Sequence, residues 1–125
     1  MSSFTLIEIL FNSVTHIFSY AFHSCTSLTS VKIPNSVKII HNCAFDDCKS
    51  LTSVTIGNSV TRIEEYAFRS CTRLTSITCY ATTAPTLSRD VFKQLQTNGT
   101  IHVPQGSDYS SWLSQLPSGW KIEYI

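Results

Sequence analysis

Residues 51–73 read LTSVTIGNSVTRIEEYAFRSCTR, and residues 28–50 just before them read LTSVKIPNSVKIIHNCAFDDCKS. Laid one over the other, Leu28, Val31, Ile33, Asn35, Val37, Ile40, Ala44, Phe45 and Cys48 meet Leu51, Val54, Ile56, Asn58, Val60, Ile63, Ala67, Phe68 and Cys71, every pair 23 residues apart. One unit is used twice. Upstream, Asn12, Val14, Ile17, Ala21, Phe22 and Cys25 continue the columns at the same interval. One extra residue around Leu10 and Phe11 then brings Phe4, Ile7 and Ile9 under Leu28, Val31 and Ile33. Downstream, Leu74, Ile77 and Cys79 begin another copy, and one inserted residue sets Val91 and Phe92 under Ala67 and Phe68, with TIHVP (100–104) under SVTIG. The count is five rungs, three of them clean.

A period in the low twenties predicts a solenoid, because so short a coil closes no core of its own and buries its apolar side against the next copy. Within each unit Leu-x-x-Val-x-Ile alternates in the manner of a strand, so successive copies stack as a parallel sheet about 4.7–4.9 Å apart. PNS or GNS then turns the chain, with Pro34 presetting its dihedral and Asn35 and Asn58 suited to turn positions. VKII and VTRI read as a second short strand or extended segment, and Ala-Phe makes the tight return. Each coil has two walls, with stacked Leu, Val, Ile and Phe between them.

Those columns carry a resemblance. Leu-x-x-Val-x-Ile-Pro-x-Ser-Val-x-x-Ile followed by Ala-Phe-x-x-Cys-x-x-Leu resembles the BspA-type leucine-rich repeat, clearest over residues 4–79. The tail, with ATTAPTL, Phe92, TIHVPQGS, a helix carrying Trp112 and a last strand, is similar to the way such repeats end in gut-bacterial surface proteins. The resemblance implies a leucine-rich repeat solenoid, a right-handed and gently curved coil with a parallel β-sheet on one wall, mostly β with a short C-terminal helix and strand. It implies no shared catalytic activity. It further implies adhesion and recognition on a secreted or cell-surface protein, although no signal or anchor is visible in this chain.

The expected organisation is a single repeat domain over 1–125: an irregular first repeat at 1–27, clean repeats at 28–50 and 51–73, a degenerate one at 74–104 and a cap at 105–125. In the cap, Tyr109, Trp112, Leu113 and Leu116 make one apolar stripe on a helix, with Ser107 as its N-cap and Pro117 and Gly119 as its stop. WKIEYI reads as a last strand with Trp120, Ile122 and Tyr124 on one buried face. Together they shield an end that would otherwise template further pairing. No such segment precedes Phe4, so an open amino edge and homo-oligomer formation through it form one expectation.

Bulk properties narrow the partners. The 125 residues carry a net charge of +1 with only 14% charged residues, which leaves no electrostatic footprint for nucleic acid. The longest apolar run near the amino end, LIEILF, is too short to span a bilayer, so membrane insertion is not expected.

The five cysteines invite a metal or disulfide reading, and His41, Cys43 and Cys48 have plausible ligand spacing. The columns argue otherwise. Cys25, Cys48 and Cys71 share one position beside the core phenylalanine, Cys79 falls where Ile33 and Ile56 stand, and Cys43 aligns with Tyr20 and Tyr66. The first four read as small buried hydrophobes, the Cys43 site as one that tolerates a phenol and is not shaped for a metal, and all as reduced thiols, with no metal and no cofactor. His16, His23, His41 and His102 occupy unlike repeat positions and read as surface histidines, while Asp46-Asp47 and Glu64-Glu65 fall on outer turns and read as a solvated face. No HExxH, GxSxG or glycine-rich phosphate loop occurs, and no enzyme is expected. Asn98-Gly99-Thr100 is a glycosylation sequon, meaningful only on a eukaryotic secretory route.

What remains is the outward face of the stacked sheet. Leu6, Ser30, Ser53, Ser76 and Thr100 form one expected row, and Glu8, Lys32, Thr55, Thr78 and His102 the next. Ser30, Lys32, Ser53, Thr55, Ser76, Thr78 and His102 are the candidate partner-binding residues, for a protein or a glycan surface. The alternatives are that Ser and Thr merely keep an exposed strand soluble, that the chain is a structural unit stacking on copies of itself, or that regular hydroxyls bind ice or another solid lattice, which Glu8, Lys32 and His102 interrupt.

Overall fold

A computed structural model describes residues 6–8 and 13–125. Phe4, Ile9, Leu10, Phe11 and Asn12, assigned above to the first rung, lie outside the described residues. The first four rungs each contribute one strand to each of two parallel sheets, and the last two strands extend the main sheet alone. The main sheet runs β1 (Leu6–Glu8), β3 (Ser30–Ile33), β5 (Ser53–Ile56), β7 (Ser76–Cys79), β9 (Thr100–Val103) and β10 (Lys121–Tyr124), in that spatial order. The second, narrower sheet runs β2 (His16–Ile17), β4 (Ile39–Ile40), β6 (Arg62–Ile63) and β8 (Thr86–Leu87). The architecture is the β-solenoid of about five turns that the 23-residue copying requires.

The register follows the sequence columns residue by residue. Ser30 pairs with Ser53 and Ser53 with Ser76, as do Val31, Val54 and Ile77 one place on. Ile7 pairs with Val31 but His16 with Ile39, so the extra residue upstream falls between β1 and β2. Ile56 pairs with Cys79 but Arg62 with Thr86, which places the downstream insertion in the YATTAP segment between β7 and β8.

Strand alternation turns Val31, Ile33, Val54, Ile56, Ile77 and Cys79 inward, where each is at most 3% exposed. Ile40 and Ile63 of the second sheet face them and are fully buried. Between the walls runs a file of rings. Phe22 stacks on Phe45 at 5.1 Å, Phe45 on Phe68 at 5.2 Å and Phe68 on Phe92 at 6.0 Å, with interplanar angles of 7°, 2° and 18°. Burying each ring contributes about 1.5–3 kcal/mol, and each aromatic pair about 0.5–1.5 kcal/mol beyond that. The cysteine column beside it, Cys25, Cys48 and Cys71, is buried and ends on buried Leu95, a hydrophobe in the same role. All five cysteines are free thiols.

The return after the second sheet is a third ladder that no strand pattern announces. Phe22 donates its backbone N–H to Ala44, Phe45 to Ala67 and Phe68 to Val91, each across one rung. The flanking residues do the same from left-handed backbone: Tyr20, Cys43 and Tyr66 on one side, Ser24, Asp47 and Ser70 on the other, with φ between 57° and 65°. Such a φ is unfavourable by about 1–2 kcal/mol for an ordinary residue. Here it aims the N–H along the coil axis at the next carbonyl, which offsets the cost.

The PNS and GNS corners stack just as closely. A Cβ at Gly57 would lie 2.6 Å from the backbone carbon and oxygen of Pro34, so the corner above leaves no room for a side chain. Asn58 donates its N–H to Asn35 Oδ1 at 2.8 Å and links the two corners.

The tail closes both walls. Helix α1 (Ser110–Leu113) lays Trp112 against Phe92, 5.4 Å between centroids, and ends the ring file. Trp112 Nε1 donates to the Pro85 carbonyl, and Gln115 accepts from Val91 N–H and donates to the Ser88 carbonyl. β10 pairs with β9 as a sixth strand. Two details correct the sequence reading. Ser107 is not the cap: its hydroxyl donates to Pro104, and the helix starts two residues later than a Ser107 cap needs, with Tyr109 in the N-cap place and Asp108 Oδ1 accepting from Ser110 N–H. Trp120 is buried and Ile122 half-buried, but Tyr124 is 46% exposed because β10 has no further strand to cover its end.

Phe68→Ala should cost about 3–5 kcal/mol in chemical denaturation, whereas Phe22→Ala, half-buried at the end of the file, should cost less than half as much. Equal losses at the two positions would contradict the stacked file.

Candidate binding face

The outer face of the main sheet is built by the residues that alternate with the core. Ser30, Ser53, Ser76 and Thr100 are aligned strand to strand, and Lys32, Thr55, Thr78 and His102 form the parallel column two residues on. All seven residues expected from the sequence to bind a partner therefore share one face. β10 adds Lys121 and Glu123 to the two columns, a continuation the sequence columns did not include. Leu6 and Glu8 of β1 extend the same register at the other end.

The face has a simple chemistry. Serine and threonine keep it flat, and charge lies towards its ends: exposed Lys32 on one side, and on the other exposed Lys121 and Glu123, the latter 3.3 Å from His102 Nδ1. Its hydroxyls stand one strand spacing apart, about 4.8 Å, on a backbone tied on both sides. That arrangement presents donors and acceptors without catalytic grouping. Among the described residues no group of three or more His, Cys, Asp or Glu side chains converges as a metal site.

The turn wall differs from the sequence expectation. Asp46 is 3% exposed, the one buried charged residue among those described, where a solvated face was expected. Arg69, one period later, holds it through two hydrogen bonds of 3.1 and 2.8 Å, and His23 Nε2 lies 3.5 Å away. This carboxylate raises the Arg69 pKa. The Arg69 guanidinium also lies 4.2 Å from the centre of the Tyr66 ring. Asp47 stays near solvent, and hydrogen bonds from Lys49 and Ser24 hold its carboxyl below its ordinary range.

Three of the four histidines are half-buried where surface residues were expected, His102 on the outer face of the main sheet and two on the turn wall. His16 and His41 are half-buried, their rings joined from Nδ1 to Nε2 at 2.8 Å, and His41 Nδ1 lies 2.8 Å from Glu64 Oε1. The signal for these links was present in the sequence. Ser24 and Asp47, His41 and Glu64, and Asp46 and Arg69 are complementary polar pairs one period apart, the spacing that marked the apolar columns.

The cysteines behave as packing residues. Cys48 and Cys71 donate to the carbonyls of Phe22 and Phe45. The contact with Cys48 and burial push the Cys71 thiol well up, and burial does the same to Cys25 and Cys79. Tyr109, raised by burial, donates its hydroxyl to Ala81 at 2.7 Å.

Comparison with known proteins agrees with this geometry. Residues 1–110 match the family profile of the BspA type leucine rich repeat region, in six copies. A crystal structure of the T. pallidum leucine rich repeat protein superposes with a TM-score of 0.58 over 98% of this chain and 70% of that chain, at 17% sequence identity, a likeness of fold. A search of curated proteins found no match. Among the described residues, no helix is long and apolar enough to cross a membrane.

Arg69→Met strips buried Asp46 of both guanidinium hydrogen bonds and leaves it only His23 Nε2, 3.5 Å away. It should cost about 2–3 kcal/mol, below the range for a fully enclosed pair because Arg69 reaches solvent. Adding Asp46→Leu should recover most of the loss in urea unfolding. A double variant as unstable as the single one would contradict the buried-pair account.

Proposed function

The chain belongs to the BspA-type leucine-rich repeat family, and from that membership we propose that it is a non-catalytic recognition module that binds a protein surface through the outer face of its main sheet. The family is typically found on bacterial surfaces and its repeats suit protein binding. A secreted or surface-exposed position and adhesion are part of this proposal, and a glycan is the alternative partner.

The observation that carries the reading is the two-column register itself. Ser30, Ser53 and Ser76 beside Lys32, Thr55, Thr78 and His102 form a regular polar surface on a backbone fixed from rung to rung. Such a surface meets a partner with little ordering of its own, and preorganisation favours affinity. A second reading is self-stacking of copies through β1 and β2, which among the described strands each stand at an end of their sheets.

The test presents the purified chain to a panel of extracellular-matrix proteins and a glycan array, comparing wild type with Ser53→Arg and Thr55→Glu. The expected result is a partner retained by wild type and weakened at least tenfold by each change, with unfolding midpoints unchanged. Binding that survives both changes overturns the face as the site. Concentration-dependent sedimentation unaffected by either change supports self-stacking instead.

A further inference from the structure

We propose that His16 and His41 form a copper(II) site on the second wall, a function separate from the binding face. Glu64 decides the hydrogen positions. Its carboxylate only accepts, so His41 Nδ1 carries the hydrogen in their 2.8 Å bond and leaves the lone pair on Nε2. His16 Nδ1 lies 2.8 Å from that nitrogen and donates to it. Moving the His16 hydrogen to Nε2 frees a second lone pair at the same spot, with no change in the pair's proton count.

Ligand type and the affinity order select the metal. With metal–nitrogen bonds of about 2.0–2.1 Å, a tetrahedral ion needs its nitrogens about 3.3 Å apart, while a right angle at the metal needs about 2.9 Å. The observed 2.8 Å is the length of the hydrogen bond between the two nitrogens and changes as the rings turn, so either geometry is within reach; imidazole suits copper, nickel and zinc, and copper(II) heads the affinity order. The rings lie 20° from parallel, so they must turn for both lone pairs to meet at an ion. Glu64 anchors His41, and most of that turn falls on His16.

The surroundings suit a cation with two protein ligands and waters. A carboxylate on the far nitrogen of a ligating imidazole fixes its orientation and raises its basicity. Glu64 is in that place, itself steadied by Arg62 Nε at 3.1 Å. Arg89 engages Glu65 on the adjacent turn, and Phe18, 67% exposed, lies 5.5 Å from both rings and adds no charge. Because the ligands come from different rungs, the ion joins the first rung to the second.

The test adds copper(II) to the full chain at neutral pH and reads calorimetry and electron paramagnetic resonance. One ion per chain, with hyperfine splitting from two imidazole nitrogens, is expected; the splitting is read on wild type and depends on no variant. His16→Ala and His41→Ala should abolish the site, Glu64→Gln should weaken it about 10- to 100-fold, and His23→Ala should leave it intact. No binding, a single-nitrogen signal, or binding that survives His16→Ala overturns the proposal.

Discussion

A coil of 23 residues encloses nothing, so every rung of this protein depends on the ring stacked above it. Phe22, Phe45, Phe68 and Phe92 lie 5.1 to 6.0 Å apart in one file. That file sets the spacing that the two sheets and the turn ladder must also satisfy. Each rung buries its apolar side only by contact with its neighbours, so stability accumulates along the axis and does not radiate from a centre. The file must also end somewhere. Trp112 closes it with a larger, tilted ring whose Nε1 donates to the Pro85 carbonyl, so a polar handle is satisfied where the stack stops.

The same stacking rule governs polar groups. Residues one period apart stand over each other, so a carboxylate in one rung meets whatever the next rung places there. Asp46 meets Arg69, His41 meets Glu64, and Asn35 Oδ1 meets the Asn58 N–H. On the main sheet the rule aligns hydroxyls, and a flat polar platform results. A flat polar face and a set of polar pairs across the rungs thus come from one geometric constraint, acting on outward and turn positions respectively.

Most of the fold was legible because the constraint writes itself into the sequence as columns. Leu28 over Leu51 and Phe45 over Phe68 gave the rung, and a one-residue slip marked each insertion. The candidate face was legible for the same reason, since strand alternation fixes which residues of Ser-Val-Lys-Ile point outward. The turn wall was not. Left-handed backbone at Tyr20, Cys43 and Tyr66 has no side-chain signature, because its compensation is a main-chain hydrogen bond to the next rung. Asp46 read as solvated because a single charge says nothing of burial; only its pairing with Arg69 does. In the cap, Ser107 and Asp108 are both good N-cap residues, but Tyr109, whose hydroxyl reaches Ala81, takes the N-cap place, so the helix starts beyond both.

The central claim, that identical coils add by stacking, is tested most directly by excising residues 51–73 and joining Ser50 to Leu74. Phe92 then succeeds Phe45 in the file, and Lys93, which shares the Arg69 column, comes opposite Asp46. The measurement is circular dichroism with urea unfolding of the shortened chain. The account predicts a β-rich protein with one cooperative transition, a lower midpoint and a smaller denaturant slope, as for a solenoid one rung shorter. A chain that is unfolded or melts without cooperativity would contradict it.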